Sequence, residues 1–477
     1  MNTNKPQFNV NKKHNQSTSI VIFGGTGDLA KTKLLPALLD LYIQKALPNK
    51  FTIISLSRKE MTDIEYQDFA QINIEKNDHR DQLSINNFCK HLHYVSGNFD
   101  DTNAYEKIKD ELNKFDDSIK QCTSKLFYLA VPPNFYSQIF LKLKESNAMA
   151  LCDRVGSWSR LLVEKPFGRD LETAQKLEKQ LSELFSEDQI YRIDHYLEKD
   201  AIENIISLRF ANSIFTDSWN KDYIESIELR LIETKDVSNR GSFFDDIGTL
   251  RDVGQNHILQ MLALLTMHNV DVNNAKSVHE GRTQALQYFS HQEPKKIIRG
   301  QYNGFTETKG VDPSSQTETY FKIETELDTD KWRGVKIIIE SGKALNRNIT
   351  EAIITFREIN ECSCGFETSP HKHKNVLKIT FSPEQLMTLT IWVKKPGFDF
   401  TLEPRILELI NKENMNTRSP EAYERVLFDC IIGDQTRFVS GNEITAAWEF
   451  ITPILEKFKT LPLYKYELGS AGPIDII

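Results

Sequence analysis

Positive charge is in short supply in this chain: 59 lysines and arginines stand against 67 aspartates and glutamates, a formal net charge of −8. Without a global basic field the sequence excludes a protein that holds nucleic acid or an anionic membrane by bulk electrostatics, so an anionic ligand has to meet locally clustered cations. Long apolar runs are missing too. Mean hydropathy is −0.44, and no uncharged stretch of about 18 apolar residues occurs, which excludes a helical membrane span. The opening MNTNKPQFNVNKKHNQSTS is polar and lacks the apolar core of a secretion signal. A short disordered lead over 1–18 and a cytoplasmic location are therefore expected. Cysteine is sparse: Cys89, Cys122, Cys152, Cys362, Cys364 and Cys430 are the only six. They are too scattered for a disulfide framework, and reduced thiols are expected.

What the chain does have is length and alternation. Its 477 residues suggest two or three domains on a soft prior of roughly 150 residues each. Short apolar, β-branched runs at Ser19–Phe23, Phe51–Leu56, His91–Val95, Lys125–Val131 and Arg160–Val163 alternate with polar helical segments, the first running from about Leu29 to Lys45. Such alternation predicts parallel strands with crossover helices, a doubly wound nucleotide-binding domain over 19–190. The texture then changes. A helix from about Lys199 to Phe210 precedes Ile224–Ile232, whose period-2 pattern suits a sheet with one covered face, and further strands are predicted at Glu318–Glu326, Val335–Glu340, Ala352–Arg357, Val376–Phe381 and Leu389–Val393. Grouped strands predict a large, mainly antiparallel sheet with helices, an α+β domain over 191–477. No internal repeat and no low-complexity linker is present.

Gly24-Gly25-Thr26-Gly27-Asp28-Leu29-Ala30 follows the first strand and opens the first helix. Glycines there allow close backbone approach, and N–H groups at a helix start suit a pyrophosphate. The spacing is Gly-x-x-Gly and not G-x-G-x-x-G. A plain strand-to-helix turn is thus the alternative, and the βαβ context favours dinucleotide binding. The second strand ends Ser55-Leu56-Ser57-Arg58-Lys59, with no acid for a ribose 2′-hydroxyl. Arg58 is the candidate for a 2′-phosphate, hence NADP; a solvated arginine near Glu60 is the competing reading.

Three further segments carry chemistry. Glu164-Lys165-Pro166-Phe167-Gly168 ends the fifth strand, where ligands of open α/β sheets collect, and a lysine before proline has restricted backbone and a cis-capable bond. Within Arg192–Lys199, His195, Tyr196 and Lys199 put two cations and a phenol close together, a local arrangement suited to a phosphate; Asp194 reads alternatively as a helix cap. In Phe243–Leu265, Asp252, Asn256 and His257 interrupt a pattern that is turning apolar. A satisfied core histidine is one reading. Alcohol oxidation, however, needs a base near neutral pH, and a histidine paired with a carboxylate meets that need.

Together these segments resemble the glucose-6-phosphate dehydrogenase family. Its motifs run in order as GGTGDLAK (Gly24–Lys31), EKPFG (Glu164–Gly168), RIDHYLEK (Arg192–Lys199), LRFAN (Leu208–Asn212) with Trp219-Asn220, RDVGQNHILQ (Arg251–Gln260), GQY (Gly300–Tyr302), SGKAL (Ser341–Leu345) and GSAGP (Gly469–Pro473). The resemblance implies a Rossmann-like domain followed by a large sheet that makes a dimer interface, a homodimer or homotetramer, and oxidation of glucose 6-phosphate to the 6-phosphogluconolactone with NADP, the first step of the oxidative pentose phosphate pathway. By the same resemblance His257 is the base that takes the C1 hydroxyl proton and Asp194 its orienting partner. His195, Tyr196 and Lys199 hold the 6-phosphate. Lys165, Glu233, Asp252 and Lys343 hold hydroxyls and phosphate, with Lys165 also touching the cofactor, and Tyr136, after Val131-Pro132-Pro133, lines the cofactor site beside Gly24–Ala30.

Some positions depart from the family pattern. Glu198 stands where the signature usually has glycine, followed by Lys199-Asp200 in place of Lys-Glu, so a carboxylate beside the phosphate site would repel the ligand unless it points away. Arg347 comes one place earlier than the family's arginine, leaving Asn348 there, and GSAGP replaces GSWGP. Cys362, Cys364, His371 and His373 offer zinc-type ligands at a spacing that matches no common finger, and no metal site is expected.

Overall fold

The computed structural model describes residues 16–75, 81–150, 156–358, 373–410 and 420–473. They belong to two compact units, one drawn from Met1–Gly168, Glu172–Glu198 and Glu413–Gly441, the other from Arg169–Leu171, Lys199–Lys412 and Asn442–Ile477.

The first unit holds six strands: β1 (Thr18–Phe23), β2 (Phe51–Ser57), β3 (Leu92–Ser96), β4 (Ser124–Leu129), β5 (Ser159–Val163) and β6 (Ile190–Arg192), in the order β3-β2-β1-β4-β5-β6. Every pairing is parallel. This is the Rossmann order, whose direction reverses between β1 and β4, the place where such sheets bind ligands. Strands β1, β2 and β4 are buried along their whole length, because crossover helices cover both faces and only continuous apolar runs survive there. Strand β6, three residues long, is too short to announce itself in the sequence.

A late segment returns to this unit. The helix Ala422–Ile432 adds Val426, Leu427, Cys430 and Ile431 to the core formed by Leu34, Leu38 and their neighbours. Arg160, lying 3.9 Å over the Trp158 ring, donates to the Cys430 and Ile431 carbonyls at 2.5 and 2.9 Å. Those carbonyls at a helix end would otherwise lack partners. Cys89 and Cys430 are buried free thiols. Cys122, by contrast, is disulfide-bonded, which corrects the expectation of thiols throughout: composition argues against a framework, not against one pair meeting in the fold.

The second unit is built on nine strands: β7 (Ile224–Ile232), β8 (Lys296–Tyr302), β9 (Tyr320–Thr325), β10 (Lys336–Gly342), β11 (Ile349–Phe356), β12 (Val376–Ser382), β13 (Leu386–Lys394), β14 (Leu402–Ile410) and β15 (Leu463–Tyr466). Their order is β14-β13-β12-β11-β7-β10-β9-β8-β15. Most pairings are antiparallel, while β10 with β7 and β15 with β8 are parallel. Along β7 the side chains of Ile227, Leu229 and Leu231 are buried and those of Glu228 and Arg230 face the other side, the alternation expected of a sheet with one covered face. Strands β8, β14 and β15 lack an apolar run in the sequence. Strand β14 contains Pro404, tolerated because β14 is an edge. Among the described residues no helix is long and apolar enough to cross a membrane.

Candidate active site

At the end of β1 the chain turns sharply. Gly24 N–H donates to the Leu56 carbonyl and Gly27 N–H to the Gly24 carbonyl, both at 2.8 Å, and the helix starts at Asp28. Gly24 has φ +88°, and a Cβ there would lie 2.4 Å from the Ala130 carbonyl oxygen; one on Gly25 would lie 2.4 Å from Ser55 Cβ. The loop is wedged between the ends of β2 and β4, so only glycine fits. Thr26 N–H is held by Ser57 Oγ at 3.1 Å. Asp28 is exposed and pairs with Lys31 at 2.5 Å, Leu29 is half-buried and Ala30 buried. Arg58, the first residue past β2, is exposed and makes no hydrogen bond or ion pair among the described residues. A glycine-rich turn opening onto a helix start, with an uncommitted cation at the neighbouring strand end, fits a phosphorylated dinucleotide.

Lys165 follows β5 through a cis Lys165–Pro166 bond. The residue before it is fixed at both ends. Tyr128 donates its hydroxyl to the Glu164 carboxylate at 2.6 Å, Tyr423 of the returning helix binds the same carboxylate, and Tyr136 donates to the Glu164 carbonyl at 2.8 Å. Burial pushes the Glu164 carboxyl up, against the opposing pull of the Tyr128 hydroxyl and the Lys165 charge. Burial likewise pushes the Tyr136 phenol far up. Tyr136 is wholly buried, and its hydroxyl supports the segment that presents Lys165.

Asp194 is buried, with one carboxylate oxygen 3.0 Å from the Tyr196 N–H. The His195 and Tyr196 rings, half-buried, lie 5.2 Å apart. Glu198 is only 3% exposed, like Leu197 before it, so its side chain lies inside the fold while His195, Tyr196 and Lys199 are half-buried. Lys199, in the second unit, opens the helix Asp200–Ala211.

The second unit assembles its candidates through the parallel pair. Strands β7 and β10 run side by side with Ile232 opposite Gly342, so the residues next after them, Glu233 and Lys343, leave the sheet together. Their backbones are tied: Glu233 N–H donates to the Gly342 carbonyl at 2.9 Å, Lys343 N–H to the Thr319 carbonyl at 2.9 Å, and Tyr466 Oη to the Lys343 carbonyl at 2.7 Å. Lys343 Nζ lies 2.6 Å from Glu233 and 3.3 Å from Asp252, with the Phe244 ring 5.3 Å away. Asp252 comes from a π-helical stretch, Leu250–Ile258, that also carries His257, which is 1% exposed. Such stretches are rare and concentrate at functional sites. GSAGP lies against the SGKAL turn: Gly469 N–H donates to the Ala344 carbonyl at 2.8 Å and Asn346 N–H to the Ser470 carbonyl at 2.9 Å.

Of the predicted residues, the structure thus joins Glu233, Asp252 and Lys343 in one unit, and Asp194, His195 and Tyr196 in the other. Cys362, Cys364 and His371 lie outside the described residues; His373 rests against the Trp392 ring at 4.5 Å. Tyr136, expected at the cofactor site, is instead wholly buried against the Glu164 carbonyl, and Tyr128 and Tyr423 had no signal in the sequence, because their partner is a residue whose burial only the fold reveals.

Comparison with known proteins is consistent along the chain. The model for "glucose-6-phosphate dehydrogenase, NAD binding domain" matches residues 21–204, and that for "glucose-6-phosphate dehydrogenase, C-terminal domain" matches 206–476. A glucose-6-phosphate 1-dehydrogenase of Chlamydia pneumoniae is 35% identical over 95% of this chain and 92% of its own. One from Caenorhabditis elegans is 33% identical over 95% and 89%. A solved glucose-6-phosphate dehydrogenase in complex with glucose 6-phosphate superposes with a TM-score of 0.89 at 32% identity, covering 98% of this chain and 97% of its own. The Mycobacterium avium enzyme gives 0.82 at 30%, covering 96% of each.

Proposed function

Because the chain belongs to the glucose-6-phosphate dehydrogenase family, we propose that it oxidises D-glucose 6-phosphate to 6-phospho-D-glucono-1,5-lactone with NADP, His257 acting as base and Asp194 as its partner. The observation that carries this reading is the Lys343, Glu233 and Asp252 cluster at the end of a parallel strand pair, with Asp252 on the same helix as buried His257.

NADP, when bound, accepts the hydride from C1. Gly24, Gly25, Thr26, Gly27, Asp28, Leu29 and Ala30 hold its pyrophosphate and Arg58 its 2′-phosphate, while Lys165 lines the site and Tyr136, wholly buried, holds from behind the segment that presents it. His257 takes the proton of the C1 hydroxyl as the C–H bond breaks. Asp194 pairs with the imidazole, fixes its orientation and stabilises the imidazolium. Lys165, Glu233, Asp252 and Lys343 bind hydroxyls and phosphate, the two acids accepting hydrogen bonds and the lysines donating them. His195, Tyr196 and Lys199 hold the 6-phosphate, and the burial of Glu198 favours this by withdrawing an acid from the surface there.

Residues 19–190 serve the cofactor and 191–477 the substrate and self-association. A homodimer or homotetramer is supported by edge strand β14, whose Ile406, Leu407 and Leu409 are exposed. A cytoplasmic location is supported by Arabidopsis thaliana relatives called cytoplasmic.

The test is His257→Asn. Turnover is expected to fall at least about a hundredfold, with glucose 6-phosphate binding retained. Near-normal turnover would overturn the assignment of the base.

A further inference from the structure

The helix bearing Asp252 and His257 runs unbroken from Leu250 to Thr266, a π-helical stretch passing into an α-helical one at Leu259. Both ends are met by buried groups of the sign the helix dipole favours. At the amino end Glu318, 4% exposed, accepts the Leu250 N–H at 3.0 Å through Oε1, while its carbonyl accepts the Thr249 N–H at 3.1 Å. Gly248, at φ +73°, makes the room: a Cβ there would lie 2.4 Å from Glu318 Oε1. At the carboxyl end four successive carbonyls each take a side-chain donor. Arg209 Nη1 binds Leu264, Trp219 Nε1 binds Leu265 at 2.8 Å, Trp332 Nε1 binds Thr266 at 2.8 Å, and Arg209 Nη2 binds Met267 at 2.6 Å. Arg209 is 1% exposed and pairs with no carboxylate among the described residues, so the helix end is its counter-charge.

We propose that Glu318 and Arg209 are positioning residues for the reaction, holding this helix from both ends so that His257 and Asp252 keep one register. The proposal rests on His257 being the base. A π-helical stretch is wider than an α-helix and relaxes by tightening, which turns every side chain beyond the change by up to about 100° per residue. With the amino end fixed by Glu318 and the carboxyl end by Arg209, Trp219 and Trp332, that relaxation breaks a clamp.

The clamp has a cost that separates positioning from structure. Burial pushes the Glu318 carboxyl up to about 7, against the pull of Arg251 on the same helix and Arg299 on β8, the charged groups that face it. The folded pKa lies above the unfolded one, so the stabilising contribution is complete below the unfolded carboxylate range and is lost as pH rises through about 7. The ionised carboxylate therefore serves the helix dipole at the expense of stability.

Glu318→Gln keeps the size and the acceptor and removes the charge. At pH 8 it is expected to melt no lower than the wild type while kcat falls about tenfold and KM for glucose 6-phosphate stays within about twofold. The acid limb of log kcat against pH is expected to become shallower, as the Glu318 carboxyl no longer titrates. A lower melting temperature with an unchanged kcat profile would mark a merely structural cap and overturn the proposal. Arg209→Lys, which keeps charge but loses the two-pronged grip, is expected to lower kcat at unchanged KM; unaltered kcat would remove that half of the clamp. His257→Asn, run alongside, tells the failures apart. If it keeps turnover, the base assignment falls and the positioning with it; if it loses turnover while Glu318→Gln matches the wild type, the positioning alone falls.

Discussion

The candidate sites of the two units are built of different materials. The first works with backbone: a loop in which Gly24 and Gly25 have no room for a Cβ, and one exposed cation, Arg58, left uncommitted among the described residues. The second works with side chains that neutralise one another, Lys343 lying between Glu233 and Asp252. A backbone site tolerates changes of side chain around it but no added atom within it. A cross-paired site tolerates neither, because removing one member strands the others.

That difference orders the expected effects of substitution. Lys343→Met leaves Glu233 and Asp252 without their shared cation and is expected to lower kcat/KM for glucose 6-phosphate about a hundredfold, roughly 2.7 kcal/mol, in steady-state kinetics. A loss below about threefold would show that the side-chain site is less interdependent than its distances imply. Gly24→Ala forces an L-residue to φ +88° with its Cβ against the Ala130 carbonyl. It is expected to cost about 2 kcal/mol in denaturant titration and to weaken dinucleotide binding. An unchanged midpoint and affinity would break the claim that the first site is made of backbone. The smallest effect is expected from Arg58→Ala, an exposed residue: KM for NADP rises about tenfold while KM for NAD does not move. Equal shifts for both would remove Arg58 from the 2′-phosphate.

Most of the first unit was legible in the sequence because parallel strands buried on both faces, such as Ile20–Phe23 and Ile53–Leu56, leave continuous apolar runs, and a glycine loop between strand and helix is local chemistry. What escaped was non-local. The return of the helix Ala422–Ile432 to the first unit has no signature, since its apolar face would suit either unit equally. In the second unit the alternation of β7 was visible, whereas its parallel partnership with β10, which brings Glu233 to Lys343, depends on a crossover that spacing does not encode. The resemblance named His257, Asp252 and Lys343; it offered nothing on Glu318, whose cap appears only when the segment leading into β9 is laid beside the helix start.

The proposed reaction is tested most directly by reduced-nucleotide formation measured with glucose 6-phosphate and with free glucose, each with NADP and with NAD. Glucose 6-phosphate with NADP is expected to be the best pair, and free glucose to be lower in kcat/KM by at least about a hundredfold, since the proposed phosphate site is then left empty. Equal rates for glucose and its phosphate, or no reduced nucleotide from glucose 6-phosphate with either cofactor, would contradict it.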